Sequence, residues 1–152
     1  MPRIQVKKTA FLIILFLTVC SIEQIYACKS DIRNGLHEEL KAQQYAGFAA
    51  NDIDEFKENV SSDDPQEDHY CSKLSAAQRA LYLSSISLSK ANVFYNIAFV
   101  NCEKGNEEKA KSSVDKTQKI YNLVNEKFNE VRENIETWCD YLEPLTLNST
   151  MI

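Results

Sequence analysis

Glycine and proline are scarce, three of each in 152 residues. An all-β fold needs a turn signal about every 8–12 residues, so breakers this sparse argue against one. They also exclude collagen-like and Gly/Ser-rich low-complexity chains. Histidine occurs only twice, as His37 and His69, and no Cys-x-x-Cys pair occurs, so the spacing of a zinc or redox site is missing. The basic excess of a nucleic-acid-binding surface is absent, because the formal net charge is -5. Apolar residues are plentiful by contrast. A hydrophobic content of 44%, with seven Phe and seven Tyr, excludes a disordered chain.

Arg3, Lys7 and Lys8 precede an apolar run from Ala10 to Val19, and Ile25-Tyr26-Ala27 then offers a small residue for cleavage. That is the order of a secretory signal peptide. The run is about half of the ~20 residues a membrane helix needs. We expect residues 1–27 to be a signal peptide and residues 28–152 a single helical domain that is secreted. Its loss makes the remainder more acidic and removes Cys20. Cys28, Cys71, Cys102 and Cys139 are left, an even number that reads as two disulfides in an oxidising compartment. Asn59-Val60-Ser61 and Asn148-Ser149-Thr150 make Asn59 and Asn148 candidate glycosylation sites, expected on surface loops.

The fold class this predicts is all-α. From Asn106 to Glu143, Val114, Thr117, Tyr121, Val124, Phe128, Val131, Ile135, Trp138 and Leu142 follow in steps of three and four, the mark of one buried helical stripe. Asn106 is the expected cap and Pro144 the expected stop. A second helix, Ser72–Asn101, opens with a Ser75/Gln78 capping box and closes at Gly105. One of its faces holds Leu74, Ala77, Leu81, Leu88, Ala91, Tyr95 and Ala98, another Leu83, Ile86, Val93, Ile97 and Val100. Apolar on two faces, it is expected to lie between two partners. From Asp31 to Val60 the pattern is weaker. Ile32, Leu36 and Leu40 step by four, then Tyr45, Ala49, Ile53, Phe56 and Val60 continue after a phase slip. Gly47, with Asn51 as a fresh cap, predicts a break near 47–51. The expected architecture is an antiparallel bundle of three long segments, the first broken to give four helices. If the segments run up, down and up, Cys28 and Cys102 share one end and Cys71 and Cys139 the other. The predicted disulfides are therefore Cys28–Cys102 and Cys71–Cys139.

No constellation reads as an active site. His37-Glu38-Glu39-Leu40-Lys41 begins like a zinc-protease helix, but Lys41 stands where the second histidine should be, so an exposed face is expected. His69, near Asp63, Asp64 and Asp68, lacks the ordered oxygens and the glycine of a calcium loop. Lysines 104, 109, 111, 116 and 119 alternate with acids, as a solvated face does. We expect no catalytic residues, no metal and no cofactor. The irregular acidic stretch Ser61–Tyr70 is the natural recognition element, and Asp63, Asp64, Glu67, Asp68 and Tyr70 are the candidate partner-binding residues.

A basic-led signal, a cysteine at the mature N-terminus, four cysteines in an acidic helical body, Cys71-Ser72-Lys73-Leu74-Ser75 and Glu136-Thr137-Trp138-Cys139-Asp140-Tyr141-Leu142 occur together. In these features the chain resembles the anophensin/albicin family of anopheline mosquito salivary proteins over its whole mature length. The resemblance implies a helical, disulfide-bonded inhibitor of a host plasma cascade, either the alternative complement pathway or kallikrein and contact activation. The partner it implies is a complement convertase or a contact-pathway protease. A monomer is expected, without nucleic-acid or membrane partners. Two other readings fit a small helical secreted protein. One is a carrier of an apolar ligand, with a cavity among Phe94, Tyr95, Phe99 and Phe128. The other is a cytokine-like receptor ligand.

Overall fold

A computed structural model describes the backbone of residues 5–63, 65–102 and 105–146, and side chains from residue 27 onward. Asp64, Glu103, Lys104 and Asn148 lie outside the described residues, as do the side chains of residues 1–26 of the expected signal peptide. Among the described residues the chain is all-α, with α1 spanning Gln5–Val60, α2 Glu67–Asn101 and α3 Asn106–Trp138. The middle helix packs against both neighbours, while α1 and α3 scarcely touch. Successive contacts show α1 and α2 running antiparallel: Cys28 meets Cys102, Glu39 meets Tyr95, and Phe56 meets Tyr70. Asn92 with Gln118 and Cys71 with Cys139 show the same for α2 and α3.

The expected break in the first helix does not occur, and α1 is continuous through residues 47–51. The buried stripe runs through Cys28, Gly35, Glu39, Ala42, Ala49, Ile53 and Phe56, with no slip of phase. Leu36 and Leu40, taken for the inward face, are 49% and 54% exposed. Small residues bring the backbones of α1 and α2 close together. The Ser84 hydroxyl, fully buried, donates to the Ala42 carbonyl at 2.9 Å. Gly47 is exposed, with open space where a side chain would be. Its helix penalty of roughly 1 kcal/mol is a local cost that the surrounding stripe outweighs.

The second helix begins at Glu67, not at Ser72, so Ser75 and Gln78 lie in its interior rather than at a cap. Gln78 is buried, and its amide clasps the tail: Nε2 donates to the Leu145 carbonyl at 3.1 Å and Oε1 accepts from the Leu145 N–H at 2.9 Å. Gly105 does not close α2, which ends at Asn101 with Cys102 extended. Its φ of 104° instead turns the chain into α3, at the position where Asn106 was expected to cap. A side chain there would adopt the disfavoured left-handed region.

The inner face of α2 is as expected, with Leu74, Ala77, Leu81, Leu88, Ala91, Tyr95 and Ala98 all buried. Its second apolar face is not. Leu83, Val93, Ile97 and Val100 are exposed, Val100 by 80%. The described side chains of α1 and α3 leave them open to solvent. In α3, Thr117, Val124, Phe128, Val131 and Ile135 form the expected stripe, extended by Ala110. The helix stops at Trp138, short of Glu143, as Cys139 leaves helical geometry to join Cys71. The two disulfides are Cys28–Cys102 and Cys71–Cys139, with Cα separations of 5.1 and 5.7 Å, within the ordinary range for such bridges. They pin opposite ends of α2 to different neighbours.

Candidate functional site

The acidic stretch lies at the end of the bundle held by Cys71–Cys139. Much of it is ordered, unlike the irregular loop expected. Ser61 and Ser62 close the last turn of α1, and the Gln66 N–H donates to Asn59 Oδ1 at 3.2 Å. Asn59, expected on a loop, therefore sits in the last turn of α1. Glu67, Asp68, His69 and Tyr70 form the first turn of α2, where the helix dipole favours the two carboxylates.

Asp63, Glu67 and Asp68 are exposed, and no ion pair among the described residues includes them. The nearby Lys73 is already engaged across the α1–α2 seam. It meets Glu55 at 2.6 Å and Asp52 at 3.5 Å. Hydrogen bonding to Lys73 holds the Glu55 carboxyl below its ordinary range, and the same bond holds Lys73 above its own. The acids at the tip thus keep an uncompensated negative field.

Aromatic side chains complete this end. Tyr70, half-buried, stands edge-on to Phe56 at 6.1 Å on one side and to Trp138 at 6.4 Å on the other. Trp138, expected in the core, is 44% exposed, and Tyr141 is 56% exposed. Tyr70, in the first turn of α2, is the aromatic partner of Trp138, and much of that residue still faces solvent. Partial desolvation raises the Tyr141 phenol above its ordinary value, and a hydrogen bond with Asp68 adds to the shift. The structure therefore places Glu67, Asp68 and Tyr70 in the first turn of α2, with Asp68 against Tyr141 and Tyr70 against Trp138, and Asp63 in the exposed segment just before it; Trp138 and Tyr141 are the residues that sequence reasoning missed. Their position beside the last cysteine was the available signal: a helix tied down at Cys139 has little length left to cover them. Trp and Tyr are enriched at interface hot spots, and charged groups belong to the rim around them.

A second polar cluster is structural. Glu39, expected on an exposed face, is 3% exposed. Its Oε2 accepts from the Tyr95 hydroxyl at 3.0 Å, and its Oε1 from Lys116 of α3. Burial first, then the bond to Glu39, pushes the Tyr95 phenol well above its ordinary value. This is one of the few places where α1 reaches α3, and the buried charge is answered on both oxygens. His37 is exposed, and Glu38 pairs with Lys41 at 2.8 Å. The aromatic residues named for the carrier reading, Phe94, Tyr95, Phe99 and Phe128, do not share one environment among the described residues. Tyr95 and Phe128 are packed in the core, and Phe94 borders a surface groove instead.

The fold and this site define an all-α bundle of three helices, locked by two disulfides and presenting an acidic, aromatic end. No helix among the described residues is long and apolar enough to cross a membrane. No protein-family model matches the chain, and no curated protein or solved structure matches it.

Proposed function

We propose that this is a secreted, salivary-type inhibitor that acts without catalysis, binding a component of a host plasma cascade through the Cys71–Cys139 end of the bundle. The target is a convertase of the alternative complement pathway or a protease of contact activation. The observation that carries the reading is the juxtaposition of three unpaired acids with Trp138 and Tyr141 on a disulfide-locked end. The disulfide holds the aromatic groups in place before contact, so little ordering entropy is lost on binding. The acids attract a basic patch on the partner and speed encounter. The resemblance to the anophensin/albicin family supports the choice of target class.

The test is a pair of cascade assays, alternative-pathway lysis and kallikrein generation, run with the native protein and two variants. One variant carries Asp63→Asn, Glu67→Gln and Asp68→Asn; the other carries Trp138→Ala. Stoichiometric inhibition by the native protein is expected in one cascade. The triple variant should associate more slowly, with a weaker salt dependence, and Trp138→Ala should dissociate faster. Inhibition unchanged in both variants would move the interface elsewhere. No inhibition of either cascade at micromolar dose would refute the function.

A further inference from the structure

The outward face of α2 carries a second feature, about 30 Å along the helix from Tyr70 at 1.5 Å per residue. Ile86, Val93 and Phe94 of α2, Tyr121 of α3 and Glu38 of α1 are among the residues that line a groove of about 760 Å³. That volume lies within the range of about 300–1,000 Å³ typical of small-molecule sites. Val93 is 57% exposed, so the apolar lining is open to solvent. Among the described residues, the charged ones lining the groove are Glu38 and Lys90. Glu38 is neutralised by Lys41 at 2.8 Å. Lys90 is exposed and enters no ion pair among the described residues. It is also the only charge of α2 between Arg79 and the helix end. One cation without an ion-pair partner among the described residues thus stands in a groove whose uncharged lining mixes apolar side chains with the amides of Asn92, Asn96 and Gln118.

We propose that this groove binds a long-chain carboxylate. The alkyl chain lies along Ile86, Val93, Phe94 and Tyr121, and the head group pairs with the Lys90 ammonium. The apolar lining supplies affinity through area removed from water. The cation selects an anionic head, because the groove otherwise leaves its charge unpaired. This ligand site is separate from the acidic end and does not depend on the inhibitor reading.

The experiment uses the disulfide-bonded full chain and a palmitate carrying a fluorophore at its methyl end. Unlabelled palmitate, hexadecanol and hexadecyltrimethylammonium compete for it. Palmitate should displace the probe at about two- to fivefold lower concentration than hexadecanol, the worth of one partly exposed ion pair. Hexadecyltrimethylammonium should be the weakest. Lys90→Met should erase the preference for palmitate while leaving hexadecanol unchanged. Val93→Glu, at an exposed position away from the core, should weaken all three at least tenfold, with an unchanged helical spectrum as the check on folding. A photoreactive palmitate should label the peptide holding Ile86 to Asn96. No saturable probe binding would overturn the proposal, as would a palmitate preference that survives Lys90→Met. Sedimentation as a dimer that Val93→Glu converts to monomer, without palmitate binding, would assign the groove to a second copy of the chain. Flotation with anionic vesicles, without displacement by free palmitate, would assign it to a lipid surface. Either result replaces the proposal.

Discussion

Gly35 and Gly47 lie in the same helix and permit a controlled test of how closely α1 and α2 are packed. A Cβ on Gly35 would stand 2.6 Å from Cε1 and 2.8 Å from Cδ1 of the Tyr95 ring. The ring has no free direction in which to yield. It is 2% exposed, and its hydroxyl is held by Glu39 at 3.0 Å. Gly35→Ala must therefore either separate the helices or break the bond to a buried carboxylate. Overpacking of this kind costs about 1–3 kcal/mol. A Cβ on Gly47 would meet nothing within 4 Å. Both substitutions gain the same helix propensity, roughly 1 kcal/mol, so this cancels when the variants are compared with each other. The difference between them isolates the clash at about 1–3 kcal/mol. Gly47→Ala should exceed the parent in stability, and Gly35→Ala should fall below it or at best match it. The assay is thermal unfolding followed by far-ultraviolet circular dichroism in one buffer. At about 2–4 °C per kcal/mol for a chain of this size, the two midpoints should lie roughly 2–12 °C apart. Equal midpoints, or Gly35→Ala above Gly47→Ala, would refute the close approach of α1 to Tyr95.

Tyr95 also confers a pH dependence. Its phenol is held above the ordinary value of 10.0, so the unfolded chain loses this proton first as pH rises. The contribution is complete below about pH 10 and is lost as pH rises toward the folded-state value. Urea midpoints should fall with pH in that range, and less steeply in Tyr95→Phe. Phe128, fully buried, should cost about 3–5 kcal/mol as Phe128→Ala, whereas Trp138→Ala should cost less than half as much, both read by urea unfolding. The bridges close stretches of 74 and 68 residues, so replacing either pair of cysteines with serine should cost about 4 kcal/mol in the chain-entropy account. A loss below about 1 kcal/mol would show that α2 is held by packing alone.

The last helix was legible in the sequence because Val124, Phe128, Val131 and Ile135 are large, and their period is unmistakable. In the earlier part of α1 the buried positions include Gly35 and Ala42, which carry little apolar signal, while Leu36 and Leu40 carry much and face outward. Periodicity followed these leucines, so joining them to Ala49, Ile53 and Phe56 required a slip of phase, and Gly47 with Asn51 then suggested a break. It failed on α2 for the converse reason. Leu83, Val93, Ile97 and Val100 have the spacing of a packed face, but nothing among the described residues covers them. At the candidate site the acids were legible as a cluster of charge. Trp138 and Tyr141 were not, because extending the stripe beyond Ile135 assumed that the helix continued. Glu39 was hidden among surface-like neighbours, since its burial depends on Tyr95 and Lys116, both distant in sequence.

The two bridges interlock along the chain. Cys28 joins Cys102 and Cys71 joins Cys139, so the two covalent loops overlap along the stretch between Cys71 and Cys102. A peptide bond hydrolysed between Cys28 and Cys71 leaves its two pieces joined through Cys28–Cys102. One hydrolysed between Cys102 and Cys139 leaves them joined through Cys71–Cys139, and a cut between Cys71 and Cys102 leaves both links standing. No single proteolytic nick between the outermost of these cysteines can release a fragment. A clipped molecule in a protease-rich fluid keeps every helix tethered to its neighbour, and with it the means to close again around the same core.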